Sequence, residues 1–254
     1  MIRIILSGCH GKMGHVVSGI ISEREDCKIV AGFDIDSGIK ETFPVMSEPD
    51  QFDGNADVII DFSHPSFLPK LLSFAKEKKI PAVIATTGMN DAQIEMIKEA
   101  SNEVPIFFSA NMSLGVNLIL SLAKKATALL SPDFDIEIVE KHHNQKVDAP
   151  SGTALMIADS ISSVLSQKPE YVFDRHSDRK KRTKNEIGIH SIRGGTIVGE
   201  HDIIFAGKDE LIEIKHTAMS KQIFAVGAVN AAVFLTKSTT GLYNMGDLVA
   251  SIGG

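Results

Sequence analysis

Short apolar runs alternate with amphipathic stretches over the first part of the chain. Residues 2–7, 28–33, 57–62, 82–86 and 105–109 are apolar almost throughout, as parallel strands covered on both faces are. Between them lie helical patterns. Residues 12–24 place Val16, Val17, Ile20 and Ile21 on one stripe. Pro65 suits the first turn of a helix running to residue 79. Asn90 or Asp91 caps a helix that carries Ile94 and Ile97. The alternation predicts an α/β fold: a doubly wound parallel sheet with right-handed crossovers.

The pattern then changes. Residues 114–130 read as one long helix, and 134–139 alternate apolar with polar, the mark of a strand with one wet face. Residues 151–165 are helical. Strand-like segments follow at 187–193, 196–206 and 210–216, with Gly207-Lys208-Asp209 as a hairpin turn. Such a run of adjacent antiparallel strands is a different architecture, so a domain change is expected near residue 113. The tail over 221–237 is apolar and helical and is expected to pack back on the first domain. The division is then 1–113 with 221–254, and 114–220. Residues 175–184, RHSDRKKRTK, form a basic run: a solvated loop, or a loop that closes over an anionic ligand.

Composition narrows the class. The chain has 254 residues, 43% of them hydrophobic, enough for a sizeable core. A net charge of −6 argues against a nucleic-acid partner. The two cysteines, Cys9 and Cys27, lack metal-ligand spacing and read as free thiols of a reducing compartment. No apolar run approaches the ~20 residues of a membrane helix. A soluble cytoplasmic protein without membrane contact is expected.

The first candidate site follows the first strand. Gly8, Gly11 and Gly14 give GxxGxxG ahead of a helix, a turn that lets backbone N–H groups and a helix start meet a pyrophosphate. Asp34, at the end of the second strand, is placed to accept hydrogen bonds from ribose hydroxyls. A 2′-phosphate would meet Asp34 and Asp36, with Lys12 as the nearest compensation, so NADH is expected to serve at least as well as NADPH. Ala85, Thr86 and Thr87, then Ser109, Ala110, Asn111 and Met112, follow the fourth and fifth strands, where ligands of such sheets bind.

The second candidate site is the stretch EKHHNQKVDAPSGTA at 140–154. A helix starting near Ser151 presents the N–H groups of Ser151, Gly152 and Thr153 and two hydroxyls, an anion site sized for a carboxylate. Lys146 adds a positive charge and His143 a donor, a set that suits a small molecule with two carboxylates. His142 is a candidate proton donor, and Lys146 a second. Adjacent histidines on a strand point to opposite sides, so one of the pair can be structural. No HExxH or Cys/His ligand spacing is present, and no metal is expected.

This stretch resembles the signature of the dihydrodipicolinate reductase family, E-x-H-H-x-x-K-x-D-x-P-S-G-T-A, at every fixed position. The resemblance extends along the chain through GCHGKMG, DFSHP, ATTG, SANMSLGVN, IRGGTIVGEH and GLYNM. It implies NAD(P)H-dependent reduction of a cyclic dicarboxylate, 4-hydroxy-tetrahydrodipicolinate or its dehydrated form, on the diaminopimelate and lysine route. It implies a Rossmann domain plus an α+β substrate and tetramerisation domain with an open mixed sheet, assembled as a homotetramer. By position, His142 is the proton donor and Lys146 a second donor or carboxylate partner. His143, Gly152 and Thr153 hold the substrate. Gly8, Cys9, His10, Gly11, Lys12, Met13, Asp34, Ala85, Thr86, Thr87 and Ser109 to Met112 line the dinucleotide site. With the two sites on separate domains, closure about hinges near 113 and 220 is expected.

Two positions depart from the family. Asn230 stands where arginine is frequent, a change expected to weaken a polar contact between domains or near the cofactor. Ile35 stands where some members carry arginine, which bears on NADPH. Competing classes are another two-domain NAD(P)-dependent amino-acid or sugar dehydrogenase, and a non-enzymatic NAD sensor. Neither has a use for KHHNQKVDAPSGT.

Overall fold

A computed structural model describes residues 1–38, 40–177 and 179–252. The chain forms two compact units, Met1–Leu114 with the segment from Gln222 onward, and Gly115–Lys221.

The first unit opens with strand β1 (Ile2–Ser7), helix α1 (Lys12–Ser22), β2 (Cys27–Phe33) and the short β3 (Val45–Met46). Then come β4 (Val58–Asp61), a 3-10 turn at Pro65–Phe67 running into α2 (Leu68–Lys78), β5 (Ala82–Ile84), α3 (Asp91–Ala100) and β6 (Pro105–Phe108). Asn90 caps α3 by accepting from the Gln93 N–H, and Gln93 returns the bond to Asn90 N. Neighbouring β-residues bury opposite faces. Ile4 and Leu6 pack toward α1, while Ile5 packs toward α2 and α3. Both faces are covered, which is why these strands are apolar at every position.

The second unit contains α4 (Leu114–Leu130), β7 (Asp135–His142), α5 (Gly152–Ser162), β8 (Glu170–Val172), β9 (Glu186–Arg193), β10 (Gly199–Ala206) and β11 (Leu211–Ala218). Its sheet runs β11-β10-β7-β9-β8. One face carries Ile136, Ile138, Ile187, Ile189, Ile203 and Phe205, packed against Ile119 and Ala123 of α4 and Ile157 and Ile161 of α5. The expected run of adjacent antiparallel strands holds only for β10 and β11. β7 lies between β9 and β10, antiparallel to β10 and parallel to β9. The pattern of β9 and β10 in isolation gives no sign of a third strand between them. β7 also continues past the expected end at 139, through Glu140 and Lys141 to His142.

The tail forms α6 (Gln222–Leu235), β12 (Gly241–Tyr243) and α7 (Met245–Ile252). α6 and α7 pack on the α1 side of the first sheet, and β12 adds to its edge beside β6. The first sheet is therefore seven-stranded and all parallel, in the order β12-β6-β5-β4-β1-β2-β3. Its order reverses between β1 and β4, and a crevice opens at such a point beyond the carboxyl ends of the strands. Among the described residues no helix is long and apolar enough to cross a membrane.

Candidate active site

In the first unit the chain leaves β1 at Gly8, whose φ of +76° suits glycine. A Cβ there would stand 2.6 Å from the Phe62 carbonyl oxygen, and one on Gly14 would stand 2.2 Å from the Gly8 oxygen. No side chain caps α1, so its first N–H groups are left for an anion. This glycine-lined turn with an uncapped helix start fits a dinucleotide pyrophosphate.

Asp34, just past β2, accepts from the His10 N–H at 3.0 Å. The enclosed His10 ring lies 4.0 Å from Asp34 and 3.9 Å from Glu41. A cavity of about 490 Å³ opens beside them, bounded by Gly8, Gly11, Asp34 and Ile35 on one side and Phe62, His64 and Phe67 on the other. Cys9 faces the core, and burial, with Asp34 next, pushes its thiol up to about 11. Cys9, His10 and Asp34 hold one potential metal-ligand atom each within 4.8 Å of one another. A thiol that keeps its proton at neutral pH makes this a poor donor set.

A second cavity, of about 370 Å³, gathers Met13, Ala85, Thr86, Thr87, Ser109, Ala110, Asn111 and Met112 with Phe62 and Phe224. Beneath it Thr86 Oγ1 donates to Asp61 Oδ2 at 2.7 Å. Asp61 is fully buried, and that burial raises its carboxyl pKa. Lys12 is exposed at the start of α1. Asn230 accepts from Arg24 Nη1 at 3.3 Å, beyond the carboxyl end of α1. The polar contact that Asn230 makes is therefore within this unit, at the carboxyl end of α1.

In the second unit the alternation of β7 carries Glu140 and His142 onto the same buried face as Ile136 and Ile138. Glu140 is wholly buried and bonded on every side. Its Oε1 accepts from Arg193 Nη2 at 2.7 Å and from the Ser151 N–H at 3.0 Å. Its Oε2 accepts from Arg193 Nη1 at 2.8 Å and meets His142 Nδ1 at 2.6 Å. Burial alone would push this carboxyl up; Arg193, then His142, outweigh it and hold it at about 2. Arg193 also donates to the Asp148 carbonyl, tying β9 to the loop after β7.

His201 of β10 stacks edge-on to His142, ring centroids 5.3 Å apart. Burial, and then the charge of His142, push His201 down to about 4, so it is neutral at pH 7 and a poor acid there.

Ser151 is not free to hold a ligand, as its place in the sequence suggested. Its N–H goes to Glu140, and its hydroxyl accepts from the Ala154 N–H and meets His201 Nε2 at 3.1 Å. It is the buried N-cap of α5 and supports the site from below. Lys146 Nζ lies 2.8 Å from Asp148 Oδ1. Lys146, with help from the Gly152 backbone, pulls the Asp148 carboxyl below its usual range. A carboxylate of the chain itself thus sits where an anionic ligand is expected. His143 is partly exposed next to this loop, Gly152 is exposed, and Thr153 lies within α5.

Two arginines of the basic run are tied to carboxylates of the second unit. Arg175 binds Glu137 at 2.6 Å and Glu186 at 3.0 Å, and Arg182 binds Asp135 at 2.9 Å and Glu137 at 3.1 Å. Both are held at the start of β7, roughly 20 Å along the strand from His142. Asp178 of this run lies outside the described residues. Glu140, Arg193, His201, Asp148 and Asp61 carry no role in the residue-level reading. Period-two spacing from His142 back to Glu140 is the one signal that could have found any of them.

Family models for dihydrodipicolinate reductase match the chain at residues 2–112 (N-terminus) and 115–249 (C-terminus). The 4-hydroxy-tetrahydrodipicolinate reductase of Caldanaerobacter subterraneus subsp. tengcongensis is 53% identical over 98% of this chain and 98% of its own. That of Clostridium tetani is 52% identical over 96% of each. A dipicolinate-bound dihydrodipicolinate reductase from Paenisporosarcina sp. TG-14 superposes with a TM-score of 0.81 at 25% identity, over 96% of this chain and 97% of that one. A myo-inositol dehydrogenase from Corynebacterium glutamicum, 17% identical with a TM-score of 0.59 over 100% of this chain and 94% of its own, shares the fold alone.

Proposed function

The chain belongs to the dihydrodipicolinate reductase family, and from that premise we propose that it reduces 4-hydroxy-tetrahydrodipicolinate, or the dihydrodipicolinate formed by loss of water, to tetrahydrodipicolinate. The observation that carries the reading is the meeting, around the end of β7, of an imidazole held by a buried carboxylate, an ammonium and a helix start. When bound, NADH or NADPH supplies a hydride to a ring carbon of the substrate. His142 gives the proton from Nε2, the nitrogen not bonded to Glu140. Lys146, His143 and the Gly152-Thr153 backbone grip the ring carboxylates, one of which displaces Asp148 from Lys146. Lys146 is the alternative proton donor. Fixing the ring in one pose removes much of the entropic barrier.

In the first unit, Gly8 to Met13 cradle the pyrophosphate, Asp34 takes the ribose hydroxyls, and Ala85 to Thr87 with Ser109 to Met112 line the nicotinamide end. Asp34 and Glu41 set two carboxylates near the 2′ position, and Ile35, 95% exposed, offers no cation there. NADH is therefore at least as good a donor as NADPH, and a kcat/KM clearly favouring NADPH overturns this. Two buried free thiols suit a cytoplasmic setting. The second sheet's outer face, with Val139, Ile192 and Ile204 among the pairs Lys141–Glu200 and His190–Glu137, supports a homotetramer, which light scattering tests.

The activity is tested by following NADH absorbance with freshly generated aldol product of pyruvate and aspartate semialdehyde. Turnover is expected, with competitive inhibition by pyridine-2,6-dicarboxylate. No turnover with either cofactor sinks the reading.

A further inference from the structure

We propose that Glu140, clamped by Arg193, is a positioning residue that fixes which nitrogen of His142 works. The proposal rests on His142 being the proton donor. An ionised carboxylate only accepts, so His142 Nδ1 must carry hydrogen toward Glu140 Oε2, at 2.6 Å. All other acceptor directions of Glu140 are filled by Arg193 and the Ser151 N–H, which leaves the carboxylate no second orientation. Nε2 is the remaining nitrogen, and it has no hydrogen-bond partner among the described residues. It faces Gly199 of β10, where a Cβ would stand 3.1 Å away, so glycine keeps that approach open. The other charged or titratable groups around the ring are His201 on β10, with His216 behind it on β11, and Lys146 and Asp148 on the loop. None of them bonds to the ring. In the reaction the imidazolium gives its Nε2 proton to the ring that has received the hydride. It is left neutral, with hydrogen on Nδ1 still bonded to Glu140. Without that bond half the geometry is lost, because the ring can turn or hold its remaining hydrogen on Nε2.

The test is E140Q, nearly identical in shape. Its amide must set an N–H against the Arg193 and Ser151 donors or against His142 Nδ1. The second arrangement forces hydrogen onto Nε2. We expect kcat to fall about 10²- to 10⁴-fold, as in an enzyme whose carboxylate-held histidine is put in the wrong tautomer. KM for the dicarboxylate and Kd for NADH should stay within about threefold. Nitrogen-15 spectra of labelled His142 should show Nδ1–H in the native enzyme and its loss in E140Q. E140Q with near-native kcat, while His142→Ala is inactive, overturns the positioning role alone. An active His142→Ala removes the proton-donor reading, and this inference with it. Should E140Q not fold, the native spectrum decides: neutral His142 with hydrogen on Nε2 overturns the proposal.

Discussion

His142 has one nitrogen bound and one open, and the charges about it divide between two jobs. Glu140 and Arg193 form a closed pair below the ring, while Lys146 and Asp148 form a partly exposed pair beside it. The two pairs predict different kinetics. His142→Ala should lower kcat about 10²- to 10⁴-fold, the usual worth of a positioned proton donor, with NADH affinity barely changed. Comparable losses in both would count against the assignment. Lys146→Ala removes a charge-assisted bond of about 1.5–3 kcal/mol, so KM for the dicarboxylate should rise about 10- to 100-fold. Asp148→Asn removes the anion that rests on Lys146, so KM should fall. Steady-state kinetics of the two variants checks both signs, and shifts in the same direction would refute the placeholder role of Asp148.

Among elements, the glycine turn into α1 tolerates least. Gly14→Ala puts a methyl against the Gly8 and Cys9 carbonyl oxygens, at 2.2 and 2.5 Å, so the turn or the helix start must move. Overpacking of this kind costs about 1–3 kcal/mol. We expect NADH affinity to fall at least tenfold by fluorescence titration, with a lower Tm. Native affinity would show that the cradle lies elsewhere. That turn was legible because strand, glycines and helix adjoin in sequence. The parallel strands β1, β2, β4, β5 and β6 were legible for a related reason, since a strand covered on both faces is apolar at each position. Two-residue β3 and three-residue β8 and β12 are too short to show a period, and the eight residues of α7 span little more than two turns. The pairing of β7 with β9 was hidden because register is decided by distant segments. The partnerships of Arg193 and His201 are set by the same distant pairing: each meets Glu140 or Ser151 only across neighbouring strands. Asp34 was placed by position, but its bond to the His10 N–H and the approach of Glu41 to that ring depend on how the turns after β1 and β2 fold against each other.

At the scale of the whole molecule, buried ionisable groups set an acid limit on stability. His201 is held at about 4, below the 6.5 of an ordinary histidine. The unfolded chain therefore binds more protons between those values, and stability present above pH 6.5 is lost as pH falls toward 4. Glu140, held at about 2, acts in the same direction at still lower pH, losing its contribution as pH falls from about 4.5. Urea unfolding should show about 2 kcal/mol less stability at pH 5 than at pH 7 from His201. His201→Gln should flatten that slope, and an unchanged slope would refute its origin. Strand β7 is hydrogen-bonded along both edges, to β9 over Ile136–His142 and to β10 over Asp135–Lys141. His142, the proposed acid, thus closes a strand in the interior of its sheet, paired with Arg193 of β9. The outer strands β8 and β11 can breathe without disturbing it, so catalytic competence should vanish only when the whole sheet melts.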